Sequence, residues 1–135
     1  MGPINSKLDM AQAQQIISFI TDSGLYAIAK FPALRDYYYG LDHVSDGIFL
    51  KSGMGLWMDD NRCYWLNPGS DGALNYLREI LFEIRNLGFN EAVFYDFRFP
   101  DTDKVYFTGD RGQAIADAAT LLVKACSSDT FAVSF

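Results

Sequence analysis

The chain has 135 residues, of which 50% are hydrophobic and 16% aromatic, and its formal net charge is −6. This length predicts one domain over residues 1–135, and the high apolar content excludes an intrinsically disordered chain. The acidic balance and the lack of a basic cluster disfavour nucleic acid as a partner. No apolar run approaches the roughly 20 residues that span a bilayer, so no membrane-spanning segment is predicted.

Three helix-then-strand units follow one another along the chain. Apolar residues at helical spacing predict a first helix that stops at Gly24 and leads into a buried strand over 25–31. A second helix begins near Ser70 and leads into a strand over 92–95, and a third precedes a strand over 130–135. This alternation predicts an α/β fold with parallel strands.

The loops of this alternation are unequal in length. Helix-to-strand links contain only a few residues, whereas the strand-to-helix loops run over about 32–70 and 98–110. Both long loops lie at the C-terminal ends of parallel strands, which form the working face of a (β/α)8 TIM barrel. A complete barrel needs about 250 residues. The chain is therefore either part of a larger barrel or a small α/β layer completed by self-association through its exposed sheet edges.

The first long loop contains a predicted β-hairpin. Segments 56–58 and 63–65 flank a polar turn over 59–62, which is typical of two short paired strands. The hairpin would bring Trp57 and Trp65 close to the working face. The two rings would either form an exposed aromatic platform for a ligand or pack the hairpin onto the barrel.

Polar residues follow the first two strands. Asp36 comes after the first strand, and Asp96, Arg98 and Asp101 come after the second. The carboxyl groups at this face are Asp36, Asp96, Asp101 and Asp103, and Asp96 and Asp36 are the candidate catalytic residues. The alternative roles are structural, with Asp96 paired to Arg98 and Asp36 bracing its loop with Arg35.

The sequence shows no metal or cofactor signature. Cys63 and Cys126 are far apart and have no nearby histidine ligands, and His43 is the only histidine. We therefore predict no metal site and no cofactor.

Four short motifs occur in a fixed order: YAIAKFPALRD over 26–36, GLW over 55–57, WLNP over 65–68, and LGFNE over 87–91 leading to RFP over 98–100. Together they resemble a family of glycosyl hydrolase-like domains with a TIM-barrel fold, found in largely uncharacterised bacterial proteins. The resemblance covers roughly residues 25–135. Because the family pattern is longer than this sequence, it implies a fragment of a larger glycoside hydrolase-like barrel.

The resemblance also implies roles for individual residues. Asp36 matches a family aspartate, and the residues that would contact substrate are Lys30, Trp57, Trp65, Asn67, Tyr95 and Arg98. Lys30, which stands where the family has arginine, would either contact a sugar hydroxyl or pair with Asp36 or Asp96.

One position departs from the family pattern. The family usually has Asp where this chain has Tyr95, and Asp96 follows one residue later. On a strand, a shift of one residue points the side chain to the opposite face, unless a bulge re-aims it.

The resemblance implies a domain that acts on or binds polysaccharide at the C-terminal ends of the strands. The alternatives are a non-catalytic carbohydrate-binding or cell-surface module, and a fragment that is inactive without the missing strands. An extracellular or cell-surface location is implied by the resemblance alone, because the first residues contain no signal peptide.

Overall fold

The computed structural model describes residues 9–135. In chain order the elements are α1 (Met10–Asp22), β1 (Ile28–Pro32), α2 (Tyr37–Asp42), a short 3₁₀ turn (Val44–Asp46), α3 (Asp71–Asn86), β2 (Glu91–Tyr95), α4 (Arg111–Cys126) and β3 (Ala132–Ser134). The predicted alternation of helices and strands is confirmed, with strand boundaries that differ by up to three residues. None of the helices within residues 9–135 combines the length and hydrophobicity needed to cross a membrane.

The three strands form one parallel sheet in the order β1-β2-β3. Ile28 lies beside Glu91 and Lys30 beside Val93 in the first pair, and Glu91 lies beside Ala132 in the second. Sequential parallel strands joined through helices are the repeating unit of α/β barrels, so the predicted fold class is confirmed.

Helices α3 and α4 cover one face of the sheet. On β2 the alternating residues Ala92 and Phe94 are fully buried and meet the leucine stripe of α3, including Leu77 and Leu81. Leu122 of α4 joins the same cluster. Each large apolar side chain buried here contributes about 1.5–3 kcal/mol relative to exposure, so this cluster is the main core of the domain.

The opposite face of the sheet is open. Ile28 is 51% exposed and Tyr95 43% exposed, and Lys30 between them along the sheet is exposed as well. The prediction of a buried strand over 25–31 is therefore wrong: four of these seven residues are exposed and only Ala27 is buried. The reason is that helices cover one side of the sheet only; in a complete barrel the other side would face the interior.

The predicted hairpin is confirmed. Met58 and Tyr64 form an antiparallel bridge, and the backbone of Asp59 closes the turn with that of Cys63 at 3.0 Å. Ile48 joins both arms: its N–H donates to Trp65 at 2.8 Å, and its carbonyl accepts from the N–H of Trp57 at 2.8 Å. Beneath this hairpin lies a second, smaller apolar group, which we call the hairpin cluster: Ile48, Trp65 and Val105, with Trp57 and Phe99 packed against them.

Candidate functional site

A cavity of about 230 Å³ lies between the hairpin and the segment that follows β2. The lining residues come from the loop after β1 (Arg35), the hairpin (Trp57, Asp59, Asp60, Asn61, Trp65) and the loop after β2 (Asp96, Arg98, Pro100, Asp101). The cavity thus opens at the C-terminal ends of the parallel strands, where the sequence predicts the working face.

The backbone at Asp96 decides where its side chain points. Strand β2 ends at Tyr95, and Asp96 has a φ of 54°, in the left-handed region. The strict alternation of faces therefore ends at Tyr95 and does not by itself decide where Asp96 points. Aspartate tolerates this conformation better than most residues, although a non-glycine residue held there costs about 1–3 kcal/mol. With this backbone conformation, the Asp96 carboxylate lies in the wall of the cavity.

Arg35 links the two sides of the cavity. Its Nε donates to Asp59 Oδ2 at 2.6 Å, and its Nη1 donates to Asp96 Oδ2 at 3.4 Å. The other oxygen of Asp96 accepts from Nη2 of Arg98 at 3.5 Å. Asp96 therefore stands between two guanidinium groups, one partly buried and one largely exposed. The predicted bracing of Asp36 by Arg35 is wrong, because Arg35 pairs with these two carboxylates instead.

Asp59 holds the hairpin in place. One of its oxygens accepts from the N–H of Asn61 and of Cys63, both at 2.9 Å, and the other accepts from the indole N–H of Trp65 at 3.0 Å. Burial alone would raise the pKa of Asp59, but the hydrogen bonds from Cys63, Trp65 and Arg35, with the charge of Arg35, together lower it. The carboxylate is thus held ionised at the base of the turn.

The two tryptophans are not equivalent. Trp65 is only 4% exposed, and the guanidinium of Arg98 lies 5.1 Å from its ring centroid. Trp57 is half-buried, lines the cavity and meets Trp65 at a centroid distance of 6.0 Å. Of the two rings, Trp57 is the one with surface left for stacking, while Trp65 belongs to the packing of the hairpin cluster.

Asp36 lies outside the cavity lining and caps α2. Its oxygens accept from the N–H of Tyr39 at 2.8 Å and from the hydroxyl of Tyr76 at 2.8 Å. Burial and this contact with Asp36 raise the pKa of the Tyr76 hydroxyl well above its usual value. The rings of Tyr39 and Tyr76 stack at 4.0 Å, so Asp36 ties the first long loop to α3.

Three further predicted residues also lie outside the cavity lining. Asn67 accepts from the N–H of Gly69 at 2.8 Å and shapes the turn before α3. Lys30 and Tyr95 lie together on the open face of the sheet, with Lys30 Nζ 5.8 Å from the tyrosine ring centroid. Within the described part of the chain, Lys30 forms no ion pair with Asp36 or Asp96, so that predicted pairing is wrong.

Sequence reasoning overlooked Arg35 and Asp59. The sequence predicts Arg35 only as a partner of its neighbour Asp36, and Asp59 only as a turn residue. A usable signal was present: the Asp59 turn lies between two tryptophans, and a buried indole N–H needs an acceptor.

Across residues 9–135, no three or more His, Cys, Asp or Glu side chains are grouped to hold a metal ion.

Comparison with known proteins identifies the family. Residues 3–128 match the model of the family described as "Putative glycosyl hydrolase domain". The chain belongs to this family. No curated protein sequence matches it. This match confirms the resemblance that the four sequence motifs indicate.

Solved structures confirm the fold. A hypothetical protein from Ruminiclostridium thermocellum superposes with a TM-score of 0.81 at 17% identity, over 98% of this chain and 75% of that one. Aspergillus fumigatus Ega3, in complex with galactosamine, superposes with a TM-score of 0.67 at 17% identity, over 98% of this chain and 53% of Ega3. The glycoside hydrolase domain of PelA from Pseudomonas aeruginosa superposes with a TM-score of 0.62 at 12% identity, over 87% of this chain and 46% of the PelA domain. The chain thus spans about half the length of the last two, which it resembles as a partial barrel.

Proposed function

We propose that this domain binds carbohydrate in the cavity between the hairpin and the end of β2. The observation that carries the proposal is the combination of one accessible aromatic wall, Trp57, with the charged groups of Asp96 and Arg98 in the same cavity. Sugars present C–H groups that pack on aromatic rings and hydroxyl groups that hydrogen-bond carboxylates and guanidinium groups. Few, well-placed polar groups beside an apolar wall are typical of such sites.

The relatives support a carbohydrate ligand. Ega3 is described with galactosamine bound, and the PelA domain is described as a glycoside hydrolase. On this fold, ligands bind at the C-terminal ends of the strands, which is where the cavity lies. Because the chain spans about half of those two proteins, we propose catalysis only for a complete barrel that contains this domain.

Asp96 is the residue we propose for the chemistry. Both of its oxygens contact guanidinium groups, an arrangement that suits a nucleophile or a charge stabiliser better than a general acid. The second carboxyl group then has to be another residue. Asp101 lines the same cavity and is exposed, whereas Asp36 lies outside the cavity lining.

A second candidate function is a non-catalytic carbohydrate-binding module. Three features favour it: Tyr95, which stands where the sequence resemblance implies an aspartate, lies on the open face with Lys30; both oxygens of Asp96 contact guanidinium groups; and Asp36 caps a helix. The two functions share the cavity and differ only in whether bound sugar is cleaved.

Calorimetry and a reducing-sugar assay on an oligosaccharide panel, with galactosamine as one member, test both functions. Asp96→Asn is the informative variant, because asparagine also tolerates the left-handed backbone. In a complete barrel with measurable activity, we expect kcat to fall about a hundredfold or more while binding persists. Asp103→Asn, an exposed change in the same loop outside the cavity lining, is the matched control and should leave both unchanged. Binding that Trp57→Ala does not weaken would contradict the proposed site.

A further inference from the structure

The charged groups that line the cavity do not balance one another. Two arginines and four aspartates contribute to the lining: Arg35, Arg98, Asp59, Asp60, Asp96 and Asp101. The lining therefore has a formal excess of two negative charges, because four carboxylates accompany only two guanidinium groups. A ligand meets the charges that are not already paired within the protein, so the ion pairs decide which charge it should have.

Both arginines of the lining are already engaged. Arg35 pairs with Asp59 and with one oxygen of Asp96. Arg98 pairs with the other oxygen of Asp96, and its guanidinium lies 5.1 Å from the ring centroid of Trp65. All the ion pairs found among residues 9–135 are these three, and each of them lies in the cavity wall. The positive charges of the lining are therefore committed to the protein itself.

The excess negative charge belongs to Asp60 and Asp101. Both side chains are exposed, and neither belongs to an ion pair in the part of the chain that the structure describes. Asp60 lies in the hairpin turn and Asp101 in the loop after β2, so each of the two segments that enclose the cavity carries one free carboxylate. A cleft lined by an excess of one charge concentrates ligands of the opposite charge.

The ring of Trp57 is a second feature that favours a positively charged ligand. An indole face attracts a cation within about 6 Å of its centroid more strongly than the other aromatic rings do. Trp65 already has Arg98 in this position, whereas no cationic side chain of the described residues lies over Trp57. Trp57 is half-buried in the same cavity wall, so its free surface is available to a bound ligand.

We infer that the cavity selects a sugar with a positively charged amino group, and that Asp60 and Asp101 determine this specificity. The inference rests on the proposed carbohydrate site and adds the charge of its ligand. A neutral sugar leaves both carboxylates without a partner, and an acidic sugar places a further negative charge beside them. A protonated amino sugar offsets part of the excess charge while its ring packs against Trp57.

A nuclear magnetic resonance titration with four matched sugars tests the inference: galactosamine, N-acetylgalactosamine, galactose and galacturonic acid. The N-acetyl form keeps the nitrogen but loses its charge, and galacturonic acid reverses the charge. At pH 6, where the amine is protonated, galactosamine should bind about tenfold more tightly than the two neutral sugars, and galacturonic acid should bind least. The preference should shrink between about 0.01 M and about 1 M salt, because the Debye length falls from about 30 Å to about 3 Å.

Asparagine variants assign the preference to the two carboxylates. Asp60→Asn and Asp101→Asn should each lower the affinity for galactosamine by about threefold, because two independent contributions add in free energy. The double variant should bind galactosamine and galactose equally, with the affinity for galactose unchanged. Asp103→Asn, an exposed change in the same loop outside the cavity lining, is the matched control and should change neither affinity.

The results distinguish failure of this inference from failure of the proposed function. Equal affinities for the charged and neutral sugars would overturn the inference and leave the carbohydrate site in place. The same holds if Asp60→Asn and Asp101→Asn weaken galactosamine and galactose alike. Ethanolamine that binds as tightly as galactosamine would also overturn it, because attraction of any amine needs no sugar. If none of the four sugars binds, the proposed function fails and the inference fails with it.

Discussion

The main core and the hairpin cluster are built by different means. The main core lies between the sheet and helices α3 and α4 and consists of apolar side chains at helical and strand spacing. The hairpin cluster has only three fully buried members, and a polar network of Arg35, Asp59 and Asp96 surrounds it. Hydrophobic burial thus sets the scaffold, whereas directional hydrogen bonds set the cavity. Mutations should separate the two contributions.

The largest loss of stability should come from the main core. Phe94 is 1% exposed at the centre of the sheet. Phe94→Ala should reduce the free energy of unfolding by about 3–5 kcal/mol, because it leaves a cavity in a packed layer. Urea denaturation measures this loss. Tyr106→Ala, at an exposed loop position, serves as control and should change stability by less than about 0.5 kcal/mol. Equal losses in the two variants would show that the core assignment is wrong.

The next largest effect should come from the hairpin cluster. Trp65→Ala removes a buried ring and leaves Asp59 without its indole donor, so we expect a loss of about 3 kcal/mol. The same denaturation experiment measures it. A loss below about 1 kcal/mol, combined with weaker sugar binding, would instead make Trp65 a ligand-stacking residue.

The polar network should contribute less than either apolar cluster. Arg35→Gln should cost about 1–3 kcal/mol, because it leaves the partly buried Asp59 without its charged partner. Arg98→Gln removes a guanidinium that is largely exposed and should cost less than about 0.5 kcal/mol. If the two variants lose equal stability, Arg35 has no special role in joining the cavity walls.

The network also predicts a dependence of stability on pH. The pKa of Asp59 is lowered in the folded state relative to about 3.9 in an unfolded chain. Its contribution is therefore fully present above about pH 4 and is lost as the pH falls through the folded value. The stability difference between the protein and Asp59→Asn should shrink on acidification from about pH 6 to pH 3. A difference that stays constant over this range would contradict the ionised, hydrogen-bonded carboxylate.

The smallest effect on stability should come from Trp57. This ring is half-buried at the cavity edge, so Trp57→Ala should cost about 1 kcal/mol while it weakens sugar binding. Thermal denaturation and calorimetry on the same sample separate the two effects. Lost stability comparable to that of Trp65→Ala would make Trp57 a packing residue.

The sequence predicts the scaffold well because periodicity reports burial directly. Leu74, Leu77 and Leu81 lie on the buried face of α3 as their spacing indicates, and β2 is found within one residue of its prediction. The sequence does not predict the open face, because a strand rich in apolar residues has the same pattern whether one or both of its faces are covered. Ile28 and Tyr95 look like core residues in the sequence and are exposed for that reason.

The site is harder to predict because it depends on backbone conformation and on contacts between distant residues. No local sequence pattern indicates the positive φ of Asp96, the residue that directly follows the end of β2. The contact of Arg35 with Asp59 spans 24 residues and requires the hairpin to fold back over the strand end. Of the eight predicted site residues, those that line the cavity are Trp57, Trp65, Asp96 and Arg98.

A nuclear magnetic resonance titration with galactosamine and the oligosaccharide panel tests the central claim, that this cavity is the carbohydrate site. We predict saturable shifts of the Trp57 indole N–H and of the backbone amides at 59–61, 96–99 and 101. Amides at 117–125 of α4, on the far side of the sheet, should stay unchanged. Saturable shifts confined to other surfaces, or no shift with any member of the panel, would contradict the account.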